Sequence, residues 1–147
     1  MQKRQFLTTA AALGLFGYVA LGMPSFGKAP PNLSSERLTG AELAGDPGTL
    51  VVDIRTPGEW ADTGVIAGAL LVTYDDAESF LRQIAPHLAP GQTLALVCRS
   101  GNRTSRAARQ IAPLIDNPVV DVAGGMNRIL REGYVPVAAV GSVVQIP

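Results

Sequence analysis

Four short runs rich in Val, Leu, Ile and Ala recur along the chain, Leu50–Ile54, Ala67–Val72, Thr93–Val97 and Val119–Val122, with helix-period segments between them. This alternation restricts the fold more than any other feature. A strand half-covered by solvent alternates apolar and polar residues, whereas these runs are apolar almost throughout, as in strands covered on both faces. Consecutive strands separated by helical segments pair in parallel, because only a crossover of that length returns the chain in the same direction. The expected fold is therefore α/β: a small parallel sheet covered by helices on both faces, a three-layer α/β/α arrangement.

The intervening segments carry their own start and stop signals. Thr39 can cap a short helical turn through Ala44, and Asp75 followed by Glu78 offers a capping-box-like start to a helix reaching about Leu88. From Arg103 to Ile115, helical spacing puts Ala107, Ala108, Ile111, Leu114 and Ile115 on one face and Arg106, Arg109 and Gln110 on the other, with Pro113 ending the helix early. Trp60 and Tyr134 read as packing residues, His87 as a surface residue near a helix end, and Asp75 and Asp76 as helix-start acids.

One segment departs from these rules. In Leu94–Arg106 an apolar strand ends at Cys98, polar and glycine residues follow, and a helix begins. Binding sites in open α/β sheets lie beyond the carboxyl ends of the strands, where the first amides of a helix present free donors and partial positive charge. A helix start ordinarily favours Asp or Glu, yet Arg99, Arg103 and Arg106 crowd this one, an arrangement that is costly unless an anion is bound. A thiolate at Cys98 supplies that anion, and the same field favours its ionisation. The bland alternative, a buried inert cysteine beside a solvated basic face, explains neither the glycine loop nor the charge pattern.

Charge and cysteine content bound the remaining possibilities. The chain has 147 residues and a formal net charge of zero, so no global positive field draws it to nucleic acid. The first 29 residues hold Lys3, Arg4 and Lys28 without an acid, leaving nine arginines against twelve carboxylates in the remainder. A basic start, an apolar run from Phe6 to Met23 and a small-residue stretch from Pro24 to Pro31 form the layout of an export signal. Residues 1–29 are thus expected to direct export to the periplasm, by the general or the twin-arginine route, or to stay as a membrane anchor; residues 30–147 form the folded domain. Membrane contact follows only in the second case. With a single cysteine and a single histidine, neither an internal disulfide nor a structural zinc site is expected, and no cofactor is called for. The apolar tail, Ala138–Pro147, is expected to pack on the domain or against a partner.

Cys98-Arg99-Ser100-Gly101-Asn102-Arg103, with Thr104 following, resembles the active-site loop of rhodanese-type sulfurtransferases. The resemblance spans most of residues 35–137. Val52–Trp60 is similar to the first signature of that family, Thr63–Ala69 to the next, and Ala123–Met126 with Gly133–Val137 to the closing one. In the second signature, where the family often has Gly-His-Ile-Pro-Gly-Ala, Val65 stands in place of His and Ala67 in place of Pro.

The resemblance implies a two-step cycle in which Cys98 attacks a sulfane donor such as thiosulfate, keeps the sulfur as a persulfide and yields it to cyanide or a thiol, including a protein thiol. Backbone N–H groups from Arg99 to Thr104 are then expected to cradle the anion, with Gly101 allowing the tight curl. Arg99 and Arg103 orient the donor, Ser100 and Asn102 shape the loop, and Thr104 completes the substrate-binding set. Asp53, Arg55 and Glu59 read either as an acid/base group or as an ion-pair scaffold, the latter being stronger because sulfite leaves without a general acid. A persulfide carrier without turnover is an alternative function. A phosphatase or arsenate reductase on the same fold is a weaker one: those enzymes need arginine at the sixth position after cysteine, and Thr104 occupies it.

Overall fold

The computed structural model describes residues 27–139. The expected export segment lies outside them except for Gly27–Ala29, as does the apolar tail beyond Ala139.

Five parallel strands form one sheet in the order β1 (Leu33–Glu36), β5 (Val119–Val122), β4 (Thr93–Val97), β2 (Thr49–Asp53), β3 (Leu70–Leu71). The α/β expectation is met. Along the central strand β4 the pleat sends Leu94, Leu96 and then Cys98 to one face and Ala95 and Val97 to the other. Helices α3 (Ala77–Ile84) and α4 (Asn102–Ile111) cover the first face through Phe80, Ile84, Ala107, Ala108 and Ile111. Helices α1 (Gly40–Gly45), α2 (Pro57–Thr63) and α5 (Gly125–Arg131) cover the second through Leu43, Trp60, Met126 and Ile129. Two cores result, one on each side of the sheet. Burying a Leu, Ile or Phe side chain in such a core contributes about 1.5–3 kcal/mol relative to leaving it in water.

Of the two expected caps, the one at Thr39 is met and the one at Asp75 is displaced by a residue. Thr39 forms a complete capping box with Glu42, and Thr56 forms another with Glu59 at the start of α2, where Pro57 supplies a preset backbone angle. Asp76, rather than Asp75, caps α3 by accepting from the Ser79 amide at 2.9 Å.

Three differences from the sequence reading have physical causes. The run Ala67–Val72 yields a strand only at Leu70–Leu71, because Ala67 and Gly68 turn, with Gly68 at φ +78°. The helix beginning the Cys98 segment ends at Ile111 and tightens into a 3-10 turn over Ala112–Leu114. Pro113 has no amide to continue the ladder, and the altered period carries Leu114 off the buried stripe to 60% exposure. Strand β1, Leu-Ser-Ser-Glu, has no apolar pattern at all; its pairing with β5 is a backbone matter on an exposed edge.

Candidate active site

Cys98 follows β4 directly, at the carboxyl end of the central strand. Its sulfur accepts the Gly101 N–H at 3.1 Å and lies 3.6 Å from Thr104 Oγ1. The cysteine has no exposed area, whereas Arg99, Ser100, Asn102 and Arg103 around it are exposed. Gly101, at φ +96°, occupies the left-handed region that lets the loop double back, and it caps α4 without a side chain. The first turn of α4 therefore lacks a side-chain acceptor, and it starts beside the sulfur.

The loop is pinned from below by α5. Met126 N–H donates to the Cys98 carbonyl at 2.8 Å and Asn127 N–H to the Arg99 carbonyl at 2.9 Å. A side chain at Gly125 would collide with the Cys98 carbonyl, and its φ of +55° also favours glycine. The pair Gly124-Gly125 thus holds the cysteine loop by its backbone. Sequence reasoning placed these glycines in a closing signature but did not find the helix behind them.

Asp53 and Arg55 lie at the end of β2, next to the cysteine strand. Arg55 Nε is 2.9 Å from Asp53 Oδ1 and Nη2 is 2.7 Å from Oδ2. The remaining guanidinium hydrogens go to Thr63 Oγ1 at 2.7 Å, the Glu59 carbonyl at 3.2 Å and the Gly64 carbonyl at 2.9 Å. Both residues are buried, and every donor direction of the fork is met within the protein. This geometry holds the end of β2 to α2 and leaves neither group free for chemistry.

Glu59 reaches the loop from the other side. Its carboxylate binds Arg103 with both oxygens, Oε2 at 2.8 Å from Nη1 and Oε1 at 2.5 Å from Nη2. The Arg103 hydrogen bond, aided by the Thr56 amide against partial burial, lowers the Glu59 pKa to about 2. Arg103 is therefore held in place and largely neutralised. Among the described residues, Arg99 and Arg106 have no ionic partner.

Arg106 and Arg103, with Asn102, line a cleft of about 430 Å³ beside the loop. Tyr74, Asp75 and Gln110 form its far wall, where Tyr74 donates to Gln110 Oε1 at 2.6 Å. Burial, then Asp76, raises the Tyr74 pKa, so that the phenol stays a donor. Tyr74 was not singled out in the sequence, and Gln110 was placed only on the outer face of its helix, because nothing local joins the turn before α3 to α4; Arg106 was visible there only as one charge among three.

A further residue was missed outright. Asp121, in β5 on the other side of β4, is 7% exposed, and its Oδ1 accepts the Thr104 hydroxyl at 2.5 Å. A single carboxylate inside Val119–Val122, a run whose other residues are all valine, was the available signal.

The comparisons with known proteins agree with the architecture. Residues 39–132 match the rhodanese-like domain family. Among solved structures, the chain is similar to a rhodanese-related protein from Thermoplasma volcanium, at 28% identity and a TM-score of 0.54, over 69% of this chain and 96% of that one. It is also similar to a Rhodopseudomonas palustris protein described as a possible tyrosine phosphatase, at 23% identity and a TM-score of 0.55, over 69% of this chain and 84% of that one; at that identity the likeness concerns the fold alone. No curated protein matches the chain. A parallel sheet in this strand order, a cysteine loop closing its central strand and a family match over residues 39–132, which hold four of the five strands and the loop, place the chain in the rhodanese-like domain family.

Proposed function

We propose that the chain is an exported sulfurtransferase that carries sulfane sulfur on Cys98, with thiosulfate or a related compound as donor and cyanide or a thiol as acceptor. The observation that carries this reading is the short cradle: Cys98 Sγ sits 3.1 Å from the Gly101 amide, and Arg103, fifth after the cysteine, is tied back to Glu59. A larger loop with arginine at the sixth position would be needed to surround a tetrahedral phosphate, and Thr104 holds that position with its hydroxyl turned to Asp121 and Gly101.

In the first step the Cys98 thiolate attacks the sulfane sulfur; the donor S–S bond breaks and sulfite leaves with its electron pair. The persulfide places the transferable sulfur about 2 Å beyond Sγ. An acceptor nucleophile then attacks that outer sulfur and returns Cys98 as thiolate. Arg99 and Arg106, exposed and unpaired among the described residues, supply the field that draws an anionic donor; Arg103, held by Glu59, lines the same cleft as Arg106.

Incubation of the purified protein with thiosulfate is expected to add the mass of one sulfur atom, and added cyanide to remove it as thiocyanate. Cys98→Ser loses both. Failure of the unmodified protein to take up sulfur sinks the proposal.

Full burial of Cys98 favours a second reading, a persulfide carrier that trades sulfur only with a protein able to open the loop. Sulfur gained from thiosulfate but released only to a protein thiol, never to cyanide, selects that reading. Export is tested separately, by the mass of the native protein from periplasmic and membrane fractions.

A further inference from the structure

Thr104 has one hydroxyl hydrogen and three neighbours that compete for it. Gly101 O lies at 2.9 Å, Asp121 Oδ1 at 2.5 Å and Cys98 Sγ at 3.6 Å. The shortest of these contacts is also the one to a carboxylate, and charge-assisted hydrogen bonds are the strong ones. With Asp121 ionised, the hydrogen belongs to Asp121 and the hydroxyl turns a lone pair to the sulfur. In that state Thr104 can accept from the Cys98 thiol but cannot donate to its thiolate.

Asp121 has none of the compensation that fixes Asp53. Its Oδ2 accepts from Ser35 Oγ at 3.2 Å, and no arginine pairs with it among the described residues. It lines a small cleft of about 160 Å³ with Ser35, Ser105 and Arg109, on the β1 side of the sheet, away from the cleft beside Arg106. A chain of contacts thus runs from the covered sulfur, through Thr104, to a carboxylate that meets solvent elsewhere.

We propose that Asp121 is a positioning residue that governs the protonation of Cys98 through the Thr104 hydroxyl. When the thiol ionises, the S–H bond breaks and its electron pair stays on sulfur. The proton passes to Thr104 Oγ1, the hydrogen already on that oxygen passes to Asp121 Oδ1, and Asp121 releases it to solvent through the Ser35 cleft. While Asp121 holds that proton the hydroxyl keeps its hydrogen on the sulfur side and donates to the anion; once Asp121 is ionised again the hydrogen returns to the carboxylate and the thiolate loses that donor. This assignment goes beyond sulfur transfer and rests on it only in taking Cys98 as the reacting group.

The other charged groups near the relay are accounted for. From β2, Asp53 faces Arg55; from the loop, Arg99 is exposed and Arg103 is held by Glu59. From α4, Arg109 lines the Asp121 cleft without an ion pair to it and Arg106 lines the separate cleft beside the loop; from β1, Glu36 accepts from Ser34; and from α5, Arg128 is bonded to Glu132 and to the Ala123 carbonyl. Among the described residues, Thr104 is the one side chain in hydrogen-bond contact with both Cys98 and Asp121.

The test follows the rate of Cys98 alkylation by iodoacetamide against pH in the full-length protein, with no sulfur donor present, so that failure here is separate from failure of the sulfurtransferase reading. Asp121→Asn is expected to lower the pH midpoint by about one unit, because the hydroxyl is freed to serve the thiolate. In a Thr104→Val background the same change is expected to move the midpoint much less. Equal shifts in the two backgrounds would show Asp121 acting by charge through space, and that result, like the absence of any shift or a rise, overturns the proposal. Should Asp121→Asn lack a cooperative thermal melt, Ser35→Ala decides instead, since Ser35 lies on the exposed edge strand. Removing its hydrogen bond makes Asp121 hold the Thr104 hydrogen more tightly. The midpoint then rises by a few tenths of a unit with Thr104 present and stays fixed in the Thr104→Val background; any other pattern overturns the relay.

Discussion

Two buried aspartates flank the cysteine strand, one on each neighbouring strand, and they are treated in opposite ways. Asp53 in β2 pairs in register with Val97, and Asp121 in β5 with Leu96. Asp53 faces the forked guanidinium of Arg55, whose other hydrogens are all placed on α2 and the turn after it. Among the described residues, the hydrogen-bond partners of the Asp121 carboxylate are the hydroxyls of Ser35 and Thr104. A carboxylate matched by a buried cation is a fixed joint, because changing either charge leaves the other stranded in low dielectric. One matched by hydroxyls can gain or lose a proton while its neighbours rotate. The joint lies on the side of the sheet that anchors α2, and the adjustable acid lies behind the sulfur.

The largest effect expected from this contrast comes from breaking the joint. Arg55→Met leaves Asp53 buried without a cation and removes two contacts to α2 and one to Gly64 after it. Loss of one partner of a buried pair typically costs about 3–5 kcal/mol. Asp121→Asn, by contrast, keeps two hydroxyl neighbours for an amide of the same shape and is expected to cost about 1 kcal/mol or less. Urea unfolding of the two variants measures both. A loss at Asp121 as large as that at Arg55 would mean that the two acids are equally structural and would remove the distinction drawn between them.

A smaller effect separates the members of the joint itself. Thr63 accepts from Arg55 Nη1 at 2.7 Å and donates to the Glu59 carbonyl of α2 at 3.1 Å. Thr63→Val removes one acceptor from a fork that keeps its carboxylate, so about 1–2 kcal/mol is expected, well below the Arg55→Met loss. Equal losses would place the energy of the joint in the α2 contact rather than in the ion pair.

The sequence shows the joint and hides the adjustable acid for a physical reason. Local signals were legible wherever the chemistry is local. Thr39 with Glu42 is a three-residue message, and Cys98 to Thr104 is a strand end, a glycine turn and a helix start in seven consecutive residues. Thr56 and Glu59 sent the same message for α2, but the segment has one buried apolar residue, Trp60, and so no helical stripe to support it. Helix α5 is short and opens on two glycines, poor helix formers that are present because the loop passes so close. Strand β1 has only Leu33 to offer the core, and Asn32 ties its start down through three carbonyls of the distant segment Ala112–Asn117. The contact between Thr104 and Asp121 exists because β5 is placed beside β4, a pairing that no spacing along the chain announces. The same holds for Arg103 and Glu59, which are 44 residues apart in the chain. Residue types were readable, and their partners were properties of the sheet order.

Glu59 supplies the intermediate case, an acid paired to arginine like Asp53 but reached by solvent. Its side chain is 21% exposed and that of Arg103 is 44% exposed. The hydrogen bonds of Arg103 hold the Glu59 pKa at about 2, down from 4.5. A carboxylate whose pKa is depressed on folding stabilises the native state above its unfolded value, and that contribution fades as pH falls toward the folded one. The Glu59 contribution is therefore complete above pH 4.5 and lost on acidification toward pH 2. Screening at this exposure reduces it to about 1 kcal/mol. Glu59→Gln is thus expected to lower the urea midpoint modestly at neutral pH, and the difference from the unmodified protein should shrink on acidification and vanish toward pH 2. Added salt should shrink it as well, because the pair is half in water. A difference that persists at low pH would assign the role of Glu59 to the Thr56 capping box rather than to Arg103, and compensation by arginine would then matter only where, as at Asp53, water is excluded from both partners.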